Sequence, residues 1–177
     1  MADKSEIREK LKIKRRYFQY SAREVADGAI ADIFLQVYGG FKSFFVYNSV
    51  GSEAGTSLII KELLTLGKQV YLPKIVDGEM FPALYGECEK GAFGILEPVN
   101  GIYTGGIDVT VVPLLAVNAK GYRIGYGKGF YDRFLKDRHT VKAGLGYYFQ
   151  IEDFSEDEWD VPLDAFVCER GIKYYGK

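Results

Sequence analysis

The chain has 177 residues but only two cysteines and one histidine. Cys88 and Cys168 lie far apart and form no C-x-x-C pair, a spacing that suggests neither a disulfide framework nor a zinc site and favours a reducing compartment. With His139 as its one imidazole, the chain excludes a multi-histidine metal centre. A Ser-His-Asp triad would have to use that same residue.

Long apolar segments and a large charge of one sign are also missing. Nowhere do about 18 apolar residues follow one another, so no membrane span is expected. Residues 1–8 contain no apolar stretch of the signal-peptide kind, so we expect a cytoplasmic protein. The formal net charge is −1, which disfavours a general nucleic-acid binder because such proteins usually carry a basic excess.

What the chain does have is the composition of a globular protein, with 47% hydrophobic and 27% charged residues. At this length we expect one domain over residues 1–177, large enough to bury a core without covalent staples. Aromatic residues make up 15% of the chain. Most of them are expected in the core, and a pocket for a flat ring system is indicated only where aromatics gather beside a catalytic loop.

Helical and strand patterns alternate along the chain. A basic helix is predicted over residues 3–18, and the S-x-x-E sequence from Ser21 to Glu24 predicts a capping box that opens a second helix ending near Tyr38. Pro73 is expected to end a strand. The other predicted elements are strands over 43–47, 69–72, 78–85, 108–112, 141–145 and 165–169, helices over 56–66 and 127–136, and a loop over 88–103.

This alternation is typical of an α/β fold. We therefore predict a single three-layer domain in which a central, mainly parallel sheet is flanked by helices. Open sheets of this kind bind ligands beyond the carboxyl ends of their strands. We accordingly expect the active-site loop to follow the carboxyl end of the strand over 108–112.

The segment from Gly121 to Arg133, GYRIGYGKGFYDR, is the most informative part of the sequence. Its glycines let backbone N–H groups approach an anion, and the following helix, Arg123 and Lys128 add positive charge. These features favour a polyphosphate site, although the segment is neither a Walker A motif nor a dinucleotide fingerprint. Asp132, directly after the loop, suits Mg²⁺ beside the phosphates. The alternative is a glycine-bearing turn with a surface lysine.

The stretch from Arg123 to Asp132, RIGYGKGFYD, resembles the R-[LI]-G-x-G-x-G-[YF]-Y-D signature of the 5-formyltetrahydrofolate cyclo-ligases, also called 5,10-methenyltetrahydrofolate synthetases. Other pieces resemble the same family, in the same order, over nearly the whole chain. They are K-x-x-x-R at Lys4 and Arg8, E-x-x-T at Glu53 to Thr56, FGILEP at 93–98, DVTVVP at 108–113 and DVPLD at 160–164. The long loop motif is the specific one, since the shorter pieces would indicate nothing alone.

The resemblance implies an enzyme that uses ATP and Mg²⁺ to close a small-molecule folate, 5-formyltetrahydrofolate, to 5,10-methenyltetrahydrofolate, releasing ADP and phosphate. It implies no nucleic-acid or membrane partner and leaves monomer and dimer open. Lys128 and Arg123 are the implied catalytic cations. The implied contacts are ATP at Lys4, Arg8, Arg123, Ile124, Gly125, Tyr126, Gly127, Lys128, Gly129, Phe130 and Tyr131, folate at Asn48, Glu53, Tyr126 and Phe130, and Mg²⁺ at Asp132 and Asp160.

The chain departs from the family pattern after Pro113. The family usually reads G-[LVI]-A-F-D there, whereas this chain has LLAVN from Leu114 to Asn118. Whether Leu114, Val117 and Asn118 alter local substrate contacts is left open by the sequence, and the nucleotide loop is not affected.

Two other functions stay open at this point. One is a non-catalytic nucleotide- or folate-binding protein on the same scaffold, against which the intact Arg123, Lys128 and Asp132 argue. The other is a nucleic-acid binder that uses the basic segment 4–23. Residues 1–24 carry eight basic residues against four acidic ones, a small excess for salt-dependent binding.

Overall fold

Seven strands share one sheet in the computed structural model, which describes residues 3–176. The helices of that region are α1 (Lys4–Arg16), α2 (Tyr20–Tyr38), α3 (Ser57–Thr65) and α4 (Phe130–Leu135). Its strands are β1 (Ser43–Phe45), β2 (Gln69–Val76), β3 (Glu79–Leu84), β4 (Cys88–Lys90), β5 (Leu96–Pro98), β6 (Val109–Pro113), β7 (Ala116–Val117), β8 (Arg123–Ile124), β9 (Val141–Leu145), β10 (Ala165–Cys168) and β11 (Gly171–Tyr174). Among these described helices, none has the length and apolar character of a membrane span.

The large sheet has the strand order β11-β10-β9-β6-β1-β2-β3. All neighbours from β10 to β2 run parallel, and the two edge pairs, β10–β11 and β2–β3, are antiparallel. Parallel neighbours need long crossover connections, whereas each edge pair is joined by a short turn. The prediction of a mainly parallel α/β sheet is therefore confirmed.

Alternation along β1 separates two apolar layers. Phe44 faces one side of the sheet, where it shares a core cluster with Ile30 and Phe34 of α2 and with residues of α3. Phe45 faces the other side, where its ring centroid lies 4.7 Å from that of Phe134 in α4. Successive strand residues point to opposite faces, so one apolar run serves both layers. Helices flank the sheet on both sides, as the three-layer prediction requires.

Helix α1 packs across the carboxyl end of β6 rather than on a sheet face. Its Ile7 and Leu11 form a separate apolar cluster with Leu115, Ile124 and Phe154, which lie beyond the end of that strand. One helical turn separates the two α1 side chains, so both lie on the same side of the helix. Positions 4, 8 and 15 lie on this side too, which brings basic residues towards the loops above the sheet.

The predicted capping box is wrong. Helix α2 begins one residue before Ser21, with Gln19 as its N-cap, and the Arg23 N–H already donates to the Gln19 carbonyl at 2.9 Å. Ser21 thus lies inside the first turn and cannot cap it. Glu24 does not reach back to Ser21 but interacts with Tyr20, one turn earlier, and raises the pKa of that phenol.

Pro73 does not end its strand, contrary to prediction, and β2 continues to Val76. β1 pairs with β2 only as far as Tyr71, so beyond that point one side of β2 is an edge. On the other side Pro73 lies opposite Pro82 in β3. The alternating antiparallel ladder places this pair at a position that exchanges no hydrogen bonds, so neither missing N–H is needed.

Short strands account for the rest of the difference from prediction. Residues 88–103, predicted as a loop, contain the antiparallel β4–β5 hairpin. Lys74 fastens this hairpin to β2, because its Nζ donates to the carbonyls of Pro98 and Asn100 at 2.9 Å each. The strands β7, β8 and β11 were not predicted, because strands of two to four residues show too little periodicity.

Gly121, in the turn between β7 and β8, generates the first prediction. Its φ is 89°, and a Cβ atom added there would lie 2.6 Å from the Tyr175 ring. Its carbonyl also accepts a hydrogen bond from the Leu163 N–H at 2.9 Å. We expect Gly121→Ala to lower the free energy of unfolding in urea by about 2–3 kcal/mol, through backbone strain and the clash with the ring.

Gly28→Ala is the matched control. Gly28 lies inside α2, and an added Cβ would meet no atom within 4 Å. The same substitution there should raise the free energy of unfolding by up to about 1 kcal/mol, because alanine has the higher helix propensity. Equal urea midpoints for the two variants would contradict the strain assigned to Gly121.

Candidate active site

A cavity of about 810 Å³ opens beyond the carboxyl ends of β1 and β6. It brings together residues from α1, from the turn after β1, from the glycine-rich segment and from the acidic segment near position 160. All the site residues predicted from the sequence line it, namely Lys4, Arg8, Asn48, Glu53, residues 123–132 and Asp160. Their proximity is a finding, while their individual roles stay predictions.

The glycine loop, residues 125–129, enters the cavity between β8 and α4. Gly127 and Gly129 have φ values of 90° and 69°, which favour glycine at both positions. Two arginines hold the loop: Arg8 Nε donates to the Gly125 carbonyl and Arg133 Nη1 to the Lys128 carbonyl, both at 3.0 Å. Within residues 3–176, no protein acceptor takes the backbone N–H groups of this loop. They are therefore available to an anion.

Lys128 is the exposed cation of the loop. Its Nζ lies 4.6 Å from the centroid of the Phe93 ring. Arg123, in contrast, is 7% exposed. Its guanidinium donates to the Val161 carbonyl at 3.1 Å and pairs with Asp132 at 3.0 Å. Of the two predicted catalytic cations, Lys128 is thus the more exposed, and Arg123 is the one paired with Asp132.

Lys4 joins α1 to the acidic segment. Its Nζ lies 2.6 Å from the Asp157 carboxylate and 2.7 Å from the Asp160 carboxylate. The Asp157 backbone N–H donates to the same Asp160 oxygen at 2.9 Å. Burial opposes the charge of Lys4, but the hydrogen bonds that Lys4 donates to both carboxylates outweigh it and raise the pKa of Lys4.

Asp132 and Asp160 lie in neighbouring parts of the cavity, since the Val161 N–H donates to Asp132 Oδ1 at 3.3 Å. No group of three or more His, Cys, Asp or Glu side chains in the described part of the chain is arranged to hold a metal by itself. Mg²⁺ needs fewer protein ligands, because it takes one or two carboxylates together with phosphate oxygens and water. The two carboxylates therefore fit a Mg²⁺ whose remaining ligands are phosphate oxygens and water.

Three tyrosines surround Glu53 in the turn after β1. Burial raises the pKa of the Tyr47, Tyr126 and Tyr131 phenols, and the charge of Glu53 raises each further. The Val50 N–H donates to the Glu53 carboxylate at 2.8 Å, and no lysine or arginine of residues 3–176 forms an ion pair with it. Glu53 thus presents an unneutralised carboxylate at the cavity.

Hydrogen bonds fix the turn that carries Glu53. The Thr56 hydroxyl donates to the Tyr47 carbonyl at 2.7 Å, so the threonine of E-x-x-T closes the turn rather than meeting a ligand. Asp27 of α2 accepts from a backbone N–H of the turn and from the Tyr147 hydroxyl, each at 2.9 Å. The turn is therefore tied both to itself and to the helix behind it.

Among the residues in or beside the cavity that sequence reasoning missed are two aromatic residues and one arginine. Phe93, at the tip of the β4–β5 hairpin, and Trp159 line the cavity, and the Phe93 ring centroid lies 6.1 Å from that of Phe130. Arg15 is buried on α1 and donates to the Tyr126 hydroxyl at 2.6 Å. Single aromatics carry no distinctive spacing, but Arg15 had a signal, because it continues the buried stripe of positions 7 and 11.

The residues after Pro113 that differ from the family pattern do not line the cavity. Leu114 and Val117 belong to a core cluster, and Asn118 is buried. Asn118 accepts from two backbone N–H groups of the β7–β8 turn at 3.0 Å, and its amide donates to the Phe154 carbonyl at 3.1 Å. The side chains at these positions build the core and the turn, and they do not belong to the described lining of the cavity.

Comparison with known sequences points to one protein family. The model of the 5-formyltetrahydrofolate cyclo-ligase family matches residues 1–169. The 5-formyltetrahydrofolate cyclo-ligase of Haemophilus influenzae is 32% identical over 69% of this chain and 73% of that protein. The protein of the same name from Mycoplasma genitalium is 44% identical over 39% of this chain, which spans 43% of that relative's length.

Solved structures of the same kind share the fold. The NMR structure of the Aquifex aeolicus 5,10-methenyltetrahydrofolate synthetase superposes with a TM-score of 0.88 at 31% identity, covering 98% of this chain and 93% of that one. The 5,10-methenyltetrahydrofolate synthetase of Mycoplasma pneumoniae gives a TM-score of 0.79 at 25% identity, covering 95% of this chain and 99% of that one.

The pair formed by buried Arg123 and partly exposed Asp132 generates a stability prediction. Arg123→Met removes the cation beside Asp132 and the donor to the Val161 carbonyl, so we expect the free energy of unfolding to fall by about 2 kcal/mol. Arg16→Met is the control, because Arg16 is exposed on α1 and its loss should change stability by no more than about 0.5 kcal/mol. Urea unfolding measures both, and wild-type stability in Arg123→Met would contradict a positioning role for Arg123.

Proposed function

The chain belongs to the 5-formyltetrahydrofolate cyclo-ligase family, and from this premise we propose that it catalyses the ATP-dependent closure of 5-formyltetrahydrofolate to 5,10-methenyltetrahydrofolate. The observation that carries the proposal is the glycine loop, whose unpaired backbone N–H groups and exposed Lys128 border the same cavity as Glu53 and several aromatic side chains. A phosphate site and a ring site thus adjoin in one cavity.

The reaction requires activation of a formamide, which is a poor electrophile with a poor leaving group. Transfer of the terminal phosphoryl group of ATP to the formyl oxygen corrects both defects and releases ADP. The second folate nitrogen then attacks the activated carbon, and phosphate departs with the former formyl oxygen. Positioning and charge stabilisation are the protein's main tasks in such a transfer. Neither histidine nor cysteine lines the cavity, and the chemistry needs neither.

The phosphate end of the site consists of the loop N–H groups, Lys128, Arg8 and Lys4. Lys128 neutralises charge that develops on the transferred phosphoryl group. Arg8 and Lys4 bring two further positive charges from α1 to the cavity. Arg123 contributes through Asp132, which it holds beside the loop.

Asp132 and Asp160 are the residues that would hold Mg²⁺. When bound there with ATP, the ion supplies charge neutralisation at the phosphates. Lys4 pairs with both Asp157 and Asp160, so a metal ion at this site would compete with Lys4 for the Asp160 carboxylate. Asp132 is paired with Arg123, whose guanidinium also donates to the Val161 carbonyl.

The folate end of the site is the turn after β1 together with the aromatic side chains opposite. The Glu53 carboxylate accepts hydrogen bonds from N–H groups of the pterin ring. Asn48 adds an amide at the same edge, and Tyr126 and Phe130 supply aromatic faces for the ring. These assignments are supported by the shared cavity and by the unneutralised charge of Glu53.

The setting of the enzyme belongs to the same proposal. The cavity draws on residues from position 4 to position 160, which supports one functional domain over the whole chain. Cys88 and Cys168 are both free thiols, which supports a reducing, cytoplasmic location. The small-molecule partners are ATP and the folate.

Lys128→Ala tests the phosphate site. We expect the rate of methenyl-product formation, followed by absorbance at saturating ATP and Mg²⁺, to fall on the order of 10²-fold, because one charge stabiliser is lost. Lys61→Ala, which removes an exposed lysine from α3, should leave the rate unchanged. Near wild-type turnover in Lys128→Ala would show that Lys128 does not contact the transferred group.

Asp160→Asn tests the metal site. Loss of one of two carboxylate ligands should raise the Mg²⁺ concentration required for half-maximal activity. Asp153→Asn is the control, since Asp153 is an exposed acid of the same segment outside the cavity. Asp157 is unsuitable for this purpose because it shares Lys4 with Asp160. Superimposable Mg²⁺ titrations for wild type and Asp160→Asn would remove Asp160 from the site.

A further inference from the structure

Arg15 is a buried charge in a helix that otherwise packs through apolar side chains. It is 4% exposed and continues the stripe of Ile7 and Leu11 on α1. Placing a guanidinium there is unfavourable unless its donors are satisfied. No carboxylate of residues 3–176 lies within ion-pair distance of Arg15, so neutral acceptors must satisfy it.

Arg15 donates to three separate segments of the site. Its Nε lies 3.3 Å from Ser52 Oγ in the turn that carries Glu53, and its Nη1 lies 3.3 Å from the Leu114 carbonyl beyond β6. Its Nη2 lies 2.6 Å from the Tyr126 hydroxyl in the glycine loop. The shortest of the three contacts is thus made to a side chain that lines the cavity.

Arg15 contacts both the hydroxyl and the aromatic ring of Tyr126. The guanidinium carbon also lies 5.6 Å from the centroid of the Tyr126 ring. The phenol oxygen accepts from Arg15, which leaves its own proton for another acceptor. Glu53 is the anion nearby: burial raises the pKa of Tyr126, the charge of Glu53 raises it further, and Arg15 opposes both. The hydroxyl is therefore hydrogen-bonded to the Arg15 cation and lies close enough to Glu53 to feel the charge of that carboxylate.

We propose that Arg15 is a positioning residue for the folate end of the site: through the Tyr126 hydroxyl it holds the Tyr126 ring, and through Ser52 it holds the turn that carries Glu53, in the arrangement that receives the substrate, without itself lining the cavity. This inference rests on the proposed function. It assigns a role to a basic residue of α1 that differs from that of Lys4 and Arg8, which line the cavity.

The test separates positioning from mere structural support. Arg15→Met removes the donors but keeps an apolar stem, and Tyr126→Phe removes the acceptor but keeps the ring. Each should raise KM for 5-formyltetrahydrofolate about tenfold, the effect of losing one hydrogen bond to a charged group, and leave KM for ATP unchanged. The folate KM of the double variant should not exceed that of the more impaired single variant, because both changes remove the contact between Arg15 and Tyr126. Arg16→Met, the exposed neighbour, should match wild type.

Two results would overturn the proposal. One is a wild-type folate KM in folded Arg15→Met, which would leave Arg15 a structural role only. The other is an additive double variant, which would show that Arg15 and Tyr126 act separately. Should Arg15→Met fail to fold, Tyr126→Phe decides alone, and a wild-type folate KM in it overturns the proposal. Arg15→Lys should then give an intermediate KM, since lysine keeps the charge but not the forked donors.

Equilibrium binding of 5-formyltetrahydrofolate without ATP distinguishes this inference from the proposed function. Absence of methenyl product with wild-type protein would overturn the proposed reaction. Weaker folate binding in Arg15→Met than in wild type would still support the role of Arg15. Equal affinities, or no binding by wild type, would overturn it.

Discussion

The docking of α1 across the end of β6 is the contact on which the candidate site depends. Ile7 and Leu11 supply its apolar part, and burial of two such side chains contributes on the order of 4 kcal/mol. The same face of the helix carries Lys4, which bonds to the acidic segment, and Arg8 and Arg15, which both bond to the glycine loop. A shift of α1 would therefore withdraw three cationic groups at once, although the chemistry lies far away in sequence.

The sheet explains why the cavity forms where it does. From β1 the chain continues to β2 on one side, while β6 lies on the other, so the strand order reverses between β1 and β6. Loops leaving two parallel strands at such a point diverge and leave a crevice. The turn with Glu53 follows β1, and the segment leading to the glycine loop follows β6. Two distant stretches of sequence thus meet because their strands are neighbours.

Local patterns predicted most of the large sheet, and the family resemblance supplied most of the candidate site residues, whereas the exceptions depended on tertiary neighbours. Apolar runs predicted β1, β6 and β9, but Pro73 is tolerated within β2 only because β1 has already ended beside it. Asn118 looked like a change in the substrate pocket, yet its amide closes a turn. Arg15 is read as a surface charge until the partner of each donor is known.

Charge pairing reconciles acidic residues with a site for an anionic ligand. Asp132 lies beside the glycine loop, where an isolated carboxylate would repel the anionic ligand of the proposed function, but Arg123 neutralises it from the buried side. Lys4 offsets part of the charge of Asp157 and Asp160 in the same way. The loop itself carries the exposed positive charge of Lys128. The acids therefore repel phosphate less than their number suggests, and an added divalent cation at Asp160 would make this region attractive to anions.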